Sequence, residues 1–325
     1  MNSDPQPARR VVAASMTFKD YVALARPEHW IKNVFMLLGS ALALFLNPVS
    51  LELPVLVKIA IALVAVCTIA SSNYVLNEIL DASRDRKHPE KRLRPLARKF
   101  VSTRGAYWEW ICLGFAGMSL GWAVNPAFFF SGLALWVMGI VYNVPPVRSK
   151  EFPIVDVLSE AINNPIRLLM GWYAVGLSAF PPSSIVMAFW MLGAFGMAAK
   201  RLAEYREIGD RDIAAAYRNS FSWYTEDRLV MTIVAYSSGF MFFLAVVMTK
   251  YHPELILSAP FIMALMGYIL KLTFEPHSIL QHPERLFQRP LFVAYSVFCL
   301  VLLYLLSSTS IPGFRMFFEI EGRGW

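Results

Sequence analysis

Charge is what this sequence has least of. Of 325 residues only 16% are Asp, Glu, Lys or Arg, against about 25% in an ordinary soluble domain, so polar side chains are too few to clothe a water-soluble surface. Cysteine is sparser still. Cys67, Cys112 and Cys299 all fall inside apolar runs, which gives no disulfide framework and no thiolate metal centre and leaves them as packing residues. The 17 glycines follow no period, so collagen is excluded, and no segment repeats at solenoid length. No charged n-region, short apolar stretch and cleavage site stand in signal-peptide order. Residues 1–16 read instead as a mobile polar tail ahead of one domain at 17–325.

What the chain does have is hydrophobicity: 57% of its residues are hydrophobic, 24 of them Phe and 9 Trp, with a mean hydropathy of +0.48. Disorder is thereby excluded, and lipid is the natural solvent. A helix needs about 20 mostly apolar residues to cross a bilayer. Nine stretches qualify, near 31–47, 54–77, 105–123, 127–144, 155–178, 183–199, 229–249, 254–272 and 290–308. Cations alternate from loop to loop: Arg84 to Arg104 after the second stretch, Arg148 and Lys150 after the fourth, Lys200 to Arg218 after the sixth, Lys271, Arg285 and Arg289 after the eighth. The intervening connections hold almost none, Lys250 excepted. The positive-inside rule then predicts a cytoplasmic N-terminus and an external C-terminus. The net charge of +7 is accounted for by topology and points to no nucleic-acid partner. Phe18, Tyr21, Val22 and Ala25 share one helical face, as in a short interfacial helix or a plain lead-in to the first span.

Polar groups inside these stretches mark the candidate chemistry. Asn73, Asn77, Asp81 and Asp85 recur at four-residue intervals, with Glu78 beside Asn77. Successive members drift about 40° and rise about 6 Å, so they line one face without converging on a single ion. Magnesium takes oxygen ligands and commonly keeps substrate phosphates in its shell, so such a row suits one or two ions bridged by a diphosphate. A solvated helix end paired with neighbouring arginines explains the charges but not the deeper asparagines. His88-Pro89-Glu90-Lys91-Arg92-Leu93-Arg94-Pro95 follows, and its arginines and lysine match phosphate oxygens. Asp156, Glu160, Asn163, Asn164 and Arg167 stripe the fifth stretch, which Pro165 is expected to interrupt. Ionisable groups at such depth face a cavity or a partner. The sixth stretch ends in Lys200-Arg201-Leu202-Ala203-Glu204, with Tyr217, Arg218, Ser220 and Tyr224 further on. There cations outnumber acids, an arrangement that holds a phosphate directly more readily than a metal.

Together these residues resemble the UbiA superfamily of intramembrane prenyltransferases, over nearly the whole chain. The superfamily's first acidic motif stands here as Asn77-Glu78-x-x-Asp81-x-x-x-Asp85, with Glu78 in place of aspartate. Its second acidic motif is replaced by Lys200-Arg201-x-x-Glu204. That replacement, with Arg26-Pro27-x-x-Trp30-x-Lys32-Asn33, the segment from His88 to Pro95, and Arg167 with Gly171, is similar to the decaprenyl-phosphate phosphoribosyltransferase branch. Asn163-Asn164-Pro165 and Tyr142-Asn143-x-Pro145-Pro146-x-Arg148-x-Lys150 look more like members that prenylate rings or lipids.

The resemblance implies an all-α integral membrane protein of nine transmembrane helices around a cytoplasm-facing cavity, in a bacterial cell membrane. It implies Mg2+ held by Asn77, Glu78, Asp81 and Asp85, and transfer of 5-phosphoribose from phosphoribosyl diphosphate to a polyprenyl phosphate for the cell envelope. Lys32, Asn33, Asn73, Lys91, Arg92, Arg94, Asn164 and Arg167 would then bind substrates, and Lys200, Arg201 and Glu204 would complete the catalytic set. A prenyltransferase joining a polyprenyl diphosphate to an aromatic or lipid acceptor is the alternative. A transporter of phosphorylated lipid is the remote one, disfavoured by the nearly uncharged outer halves of the spans.

Overall fold

A computed structural model describes residues 17–47, 49–86, 91–98, 101–281 and 283–314, and the expected tail lies outside them. Among the described residues the chain is helical and has no strand. The helices are α1 (Phe18–Ala25), α2 (Met36–Leu46), α3 (Leu53–Asp85), α4 (Thr103–Val124), α5 (Pro126–Asn143) and α6 (Val155–Ala161). They continue as α7 (Asn163–Ala174), α8 (Ser183–Ile208), α9 (Arg211–Tyr217), α10 (Glu226–Tyr251), α11 (Ala259–Thr273) and α12 (Pro290–Ser307).

The amphipathic lead-in forms α1, with Asp20 accepting hydrogen bonds from the Thr17 N–H at 2.9 Å and its hydroxyl at 2.7 Å. These satisfy orphan groups of the first turn. Arg26 then adopts a left-handed conformation (φ 51°) and passes the chain into a 3-10 segment, Pro27–Phe35, before α2.

Among the described residues seven helical stretches are long and apolar enough to cross a membrane: Phe18–Leu46, α3, α5, α8, α10, Pro253–Thr273 and α12. Two of the nine expected spans fall short by that measure. Helix α4 has the length, 22 residues, but carries Arg104 and Glu109. The expected 155–178 span is two short helices, α6 and α7. Its break falls at Ile162 rather than at Pro165. Pro165 is the third residue of α7, where a backbone N–H has no intrahelical partner to lose.

Two large apolar cores hold the bundle, beside a smaller one of Leu24, Val75, Leu96, Val101 and Ala106. One joins α2, α3, α5 and α7 through Met36, Val66, Ile69, Phe128, Leu135 and Met170. The other joins α6, α8, α10 and α11 through Val157, Phe195, Leu202, Leu229, Ile233 and Met266. Helix α12 stands largely outside both, with Leu291, Val297, Leu300, Val301 and Leu305 exposed, as expected of a lipid-facing helix.

One contact places α7 tightly against α2. A Cβ built on Gly171 would stand 1.8 Å from the Met36 carbonyl oxygen, and one on Gly39 2.0 Å from that of Leu168. Only hydrogen fits at these positions. Ser40 Oγ also donates to the Gly171 carbonyl at 2.8 Å. This crossing brings Arg167, one turn before Gly171, to Asn33 just ahead of α2.

Candidate active site

The C-terminal turns of α3 present the acidic row. Asn77 and Asp81 meet at one point: the Lys150 ammonium donates to Asn77 Oδ1 at 3.1 Å, to both Asp81 oxygens at 2.7 Å, and to Asn143 Oδ1 at 2.8 Å. Four oxygens from three residues thus surround a single positive charge. Arg148 adds a second cation, 2.9 Å from Asp81 Oδ1. Both cations belong to the segment between α5 and α6, and it is anchored. Glu151 pairs with Arg148 at 2.9 Å and with Arg84, and Ser149 Oγ donates to Ser159 Oγ at 2.8 Å. Burial pushes the Lys150 ammonium down to about 8, opposed by the Asp81 carboxylate. Burial also raises Glu151, but the two arginines outweigh it and hold its carboxyl below the usual range.

The rest of the row has other partners. Asp85 is paired with Arg94 at 2.6 Å. Glu78, expected as a metal ligand, is fully buried with both oxygens engaged: Oε2 with Arg26 at 2.6 Å and Oε1 with the Leu96 N–H at 3.0 Å. A buried carboxylate needs a counter-charge and donors, and the longer glutamate arm reaches them. Asn73 lies deeper, its Nδ2 donating to the Leu135 carbonyl at 2.9 Å, while its buried Oδ1 has no hydrogen-bond partner among the described residues. Gly139 leaves that side chain room, since a Cβ there would lie 2.2 Å from it.

Helix α8 ends in a different kind of cluster. Arg201, expected to meet a substrate phosphate, is only 1% exposed. Its guanidinium donates to Asp156 at 3.1 Å, Glu204 at 3.0 Å, Glu160 at 3.1 Å and the Tyr142 hydroxyl at 3.3 Å. Three carboxylates enclose it, so it ties α6 to α8 and leaves no donor face for a ligand. Tyr142 donates to Glu160 at 2.7 Å and its ring lies 5.9 Å from Lys150 Nζ, which links this cluster to the acidic row. Tyr224 closes the far side, accepting from the Ile154 N–H and donating to Asp156, each at 2.7 Å.

The remaining expected residues divide similarly. Asn33 is fully buried, accepting from Arg167 Nε at 3.0 Å. Lys200 is half-buried, as is Lys32, and feels the charges of Glu204 and Glu160. Asn164 packs against Gly193, where a Cβ would come within 2.1 Å of its Nδ2. Arg92 is exposed. His88 lies outside the described residues, as does the side chain of Lys91.

Sequence reasoning left Asn143, Arg148 and Lys150 out of the site. The signal was there: two cations in one short loop on the side that carries the acidic row. Their target was not legible, because it depends on how that loop folds back over α3.

Residues 33–278 match the UbiA prenyltransferase family. The chain belongs to that family. A decaprenyl-phosphate phosphoribosyltransferase of Mycobacterium tuberculosis (strain ATCC 25618 / H37Rv) is 30% identical over 216 residues, 66% of this chain and 69% of that protein. Nodulation protein NoeC of Azorhizobium caulinodans is 28% identical over 235 residues, 70% of each. Among solved structures, a UbiA homolog from Archaeoglobus fulgidus bound to DMAPP and Mg2+ superposes with a TM-score of 0.64 at 20% identity, covering 90% of this chain and 100% of that one. This last likeness concerns the fold. As a UbiA-family protein with apolar helices of spanning length, the chain is an integral membrane transferase.

Proposed function

We propose that this UbiA-family transferase moves 5-phosphoribose from phosphoribosyl diphosphate to a polyprenyl phosphate, at the cytoplasmic face of a bacterial cell membrane and with magnesium. One observation carries the reading. Asp156 and Glu160 of α6 and Glu204 of α8 each give an oxygen to Arg201, so the oxygens left for a metal-bound diphosphate gather at the end of α3, where Asn143 of α5 joins Asn77 and Asp81. A donor held between two magnesium-binding motifs has no second motif here. The phosphoribosyltransferase relative at 30% identity supports the same choice.

The α3 end suits a magnesium ion. Asn77, Asp81 and Asn143 already gather hard oxygens about one positive charge, that of Lys150, and such oxygens are the donor set the ion selects. When bound, the ion would neutralise charge growing on the departing diphosphate. Arg148 and Lys150, released from Asp81, are placed to donate to the same diphosphate. Lys32 and Arg167 hold the donor's remaining phosphate, and Lys200 draws the lipid phosphate to the opposite side. That phosphate is ionised at neutral pH, so its oxygen attacks the ribose C1 without a protein base. The C1–O bond to diphosphate breaks as the new C1–O bond forms. Glu78 braces Arg26 and the segment at Leu96 rather than holding metal.

The test supplies purified protein with magnesium, polyprenyl phosphate and either labelled phosphoribosyl diphosphate or labelled prenyl diphosphate. Label from the ribose donor is expected in the extracted lipid, with diphosphate released. Transfer from prenyl diphosphate to an aromatic acceptor, with none from the ribose donor, would install the prenyltransferase reading, which the Tyr142 to Lys150 segment favours.

A further inference from the structure

The proposed reaction sets two multiply charged anions side by side, the donor's diphosphate at Asp81 and the lipid phosphate at Lys200. Like charges this close repel unless a cation lies between them. Arg201 cannot serve, being enclosed by carboxylates. Arg218 is differently placed.

Arg218 follows α9 and precedes the 3-10 turn Asn219–Ser222. Its Nη1 is buried without a hydrogen-bond partner among the described residues and lies 3.8 Å from Asp156 Oδ2. That carboxylate is already satisfied by Arg201 at 3.1 Å, Ser220 Oγ at 3.2 Å and Tyr224 at 2.7 Å, so Arg218 is held near Asp156 without being neutralised by it. The side chain keeps 18% exposure. Its charge acts on Asp81 and Lys150 as well as on Tyr142, Glu160 and Glu204. Asp156 joins Arg218 to the Arg201 cluster. The next residue fixes its backbone to the Lys150 loop: Asn219 donates to Glu151 through its N–H at 3.4 Å and its Nδ2 at 3.2 Å.

We infer that Arg218 is the charge bridge of the site, its guanidinium fork donating at once to an oxygen of the donor's diphosphate and to an oxygen of the lipid phosphate. The inference rests on the proposed function. An arginine fork presents donors on two edges and stays charged throughout, so one residue can serve both anions. It makes the two substrates tolerate each other, which a purely structural partner of Asp156 would not do.

Binding isotherms on the full-length protein test this, with inorganic diphosphate plus magnesium as one ligand and farnesyl phosphate as the other, each alone and together. In the wild type, saturating magnesium diphosphate is expected to change farnesyl phosphate affinity by less than about threefold. In Arg218→Gln the same addition is expected to weaken it by about tenfold or more, an ordinary size for coupling between sites. Arg218→Lys, which keeps the charge but loses the fork, is expected to fall between, and carries the test should the glutamine variant fail to fold. Coupling unchanged from wild type in these variants would overturn the bridge while leaving the proposed function standing. A wild type that binds diphosphate but no farnesyl phosphate, even at millimolar concentration, would overturn the proposed function and the bridge with it.

Discussion

The end of α3 and the end of α8 use the same ingredients, carboxylates and basic side chains, to opposite effect. At α8 one arginine is surrounded by three acids from its own and a neighbouring helix, with 1% of its surface left exposed. At α3 an aspartate that keeps 19% exposure is approached by two cations from a loop. The first closes round a buried guanidinium that is shared by all three acids. The second is a pairing in which either side can take a new partner. A buried pair is costly to break because it leaves an uncompensated charge, and since Lys150 is itself only 6% exposed it leaves Asp81 only where an incoming cation and anion replace the partners of both. The proposed function gives ligand chemistry to the second and architecture to the first.

Substitutions that treat the two ends alike should break the comparison. The largest effect is expected for Asp81→Asn: turnover falls by about a hundredfold or more, as when one electrostatic element of a site is removed, while thermal unfolding in detergent stays near wild type. Unfolding at much lower temperature would mean that Asp81 belongs to a knot like that of Arg201. Arg201→Met should do the reverse, depriving Asp156, Glu160 and Glu204 of the guanidinium they share and destabilising the protein by about 3–5 kcal/mol. A stable Arg201→Met protein with a raised KM for the lipid would return Arg201 to the substrate.

Smaller effects sharpen the picture. Gly171→Ala inserts a methyl where the Met36 carbonyl stands 1.8 Å away, so α2 and α7 must part, at a cost of about 1–3 kcal/mol. The melting temperature measures this, and an unchanged value would refute the close crossing. Glu78→Asp shortens the arm that reaches Arg26 and Leu96, and about 1 kcal/mol of stability should be lost. Magnesium affinity, read by titration in the presence of diphosphate, should stay within about twofold because Glu78 serves Arg26 and not the metal. A tenfold loss of affinity would restore Glu78 to the ligand set.

Which parts of this were legible in sequence follows from how local each interaction is. Helix α1 was readable because the apolar spacing of Phe18, Tyr21, Val22 and Ala25 is complete within about two turns. The row on α3 was readable because period alone places Asn73, Asn77, Asp81 and Asp85 on one face. Its partners were not, since Lys150 and Arg94 reach their acids through loops whose course no local rule fixes. The α6–α7 break illustrates a second limit. Proline marks where a helix can begin as well as where it ends, and only packing decides that α7 starts at Asn163 with Pro165 in its first turn. Arg201 illustrates a third. Lys200 and Arg201 are adjacent in sequence and alike in charge, yet the helical rotation of about 100° between them buries one and leaves the other half-exposed.

The division of labour between the two ends is the central claim, and binding of magnesium phosphoribosyl diphosphate to two variants tests it most directly. Asp81→Asn is expected to lose that binding by tenfold or more, about 1.4 kcal/mol, while Lys200→Ala keeps it within about threefold and instead weakens farnesyl phosphate binding. Loss of the ribose donor in Lys200→Ala, with Asp81→Asn unaffected, would contradict the account.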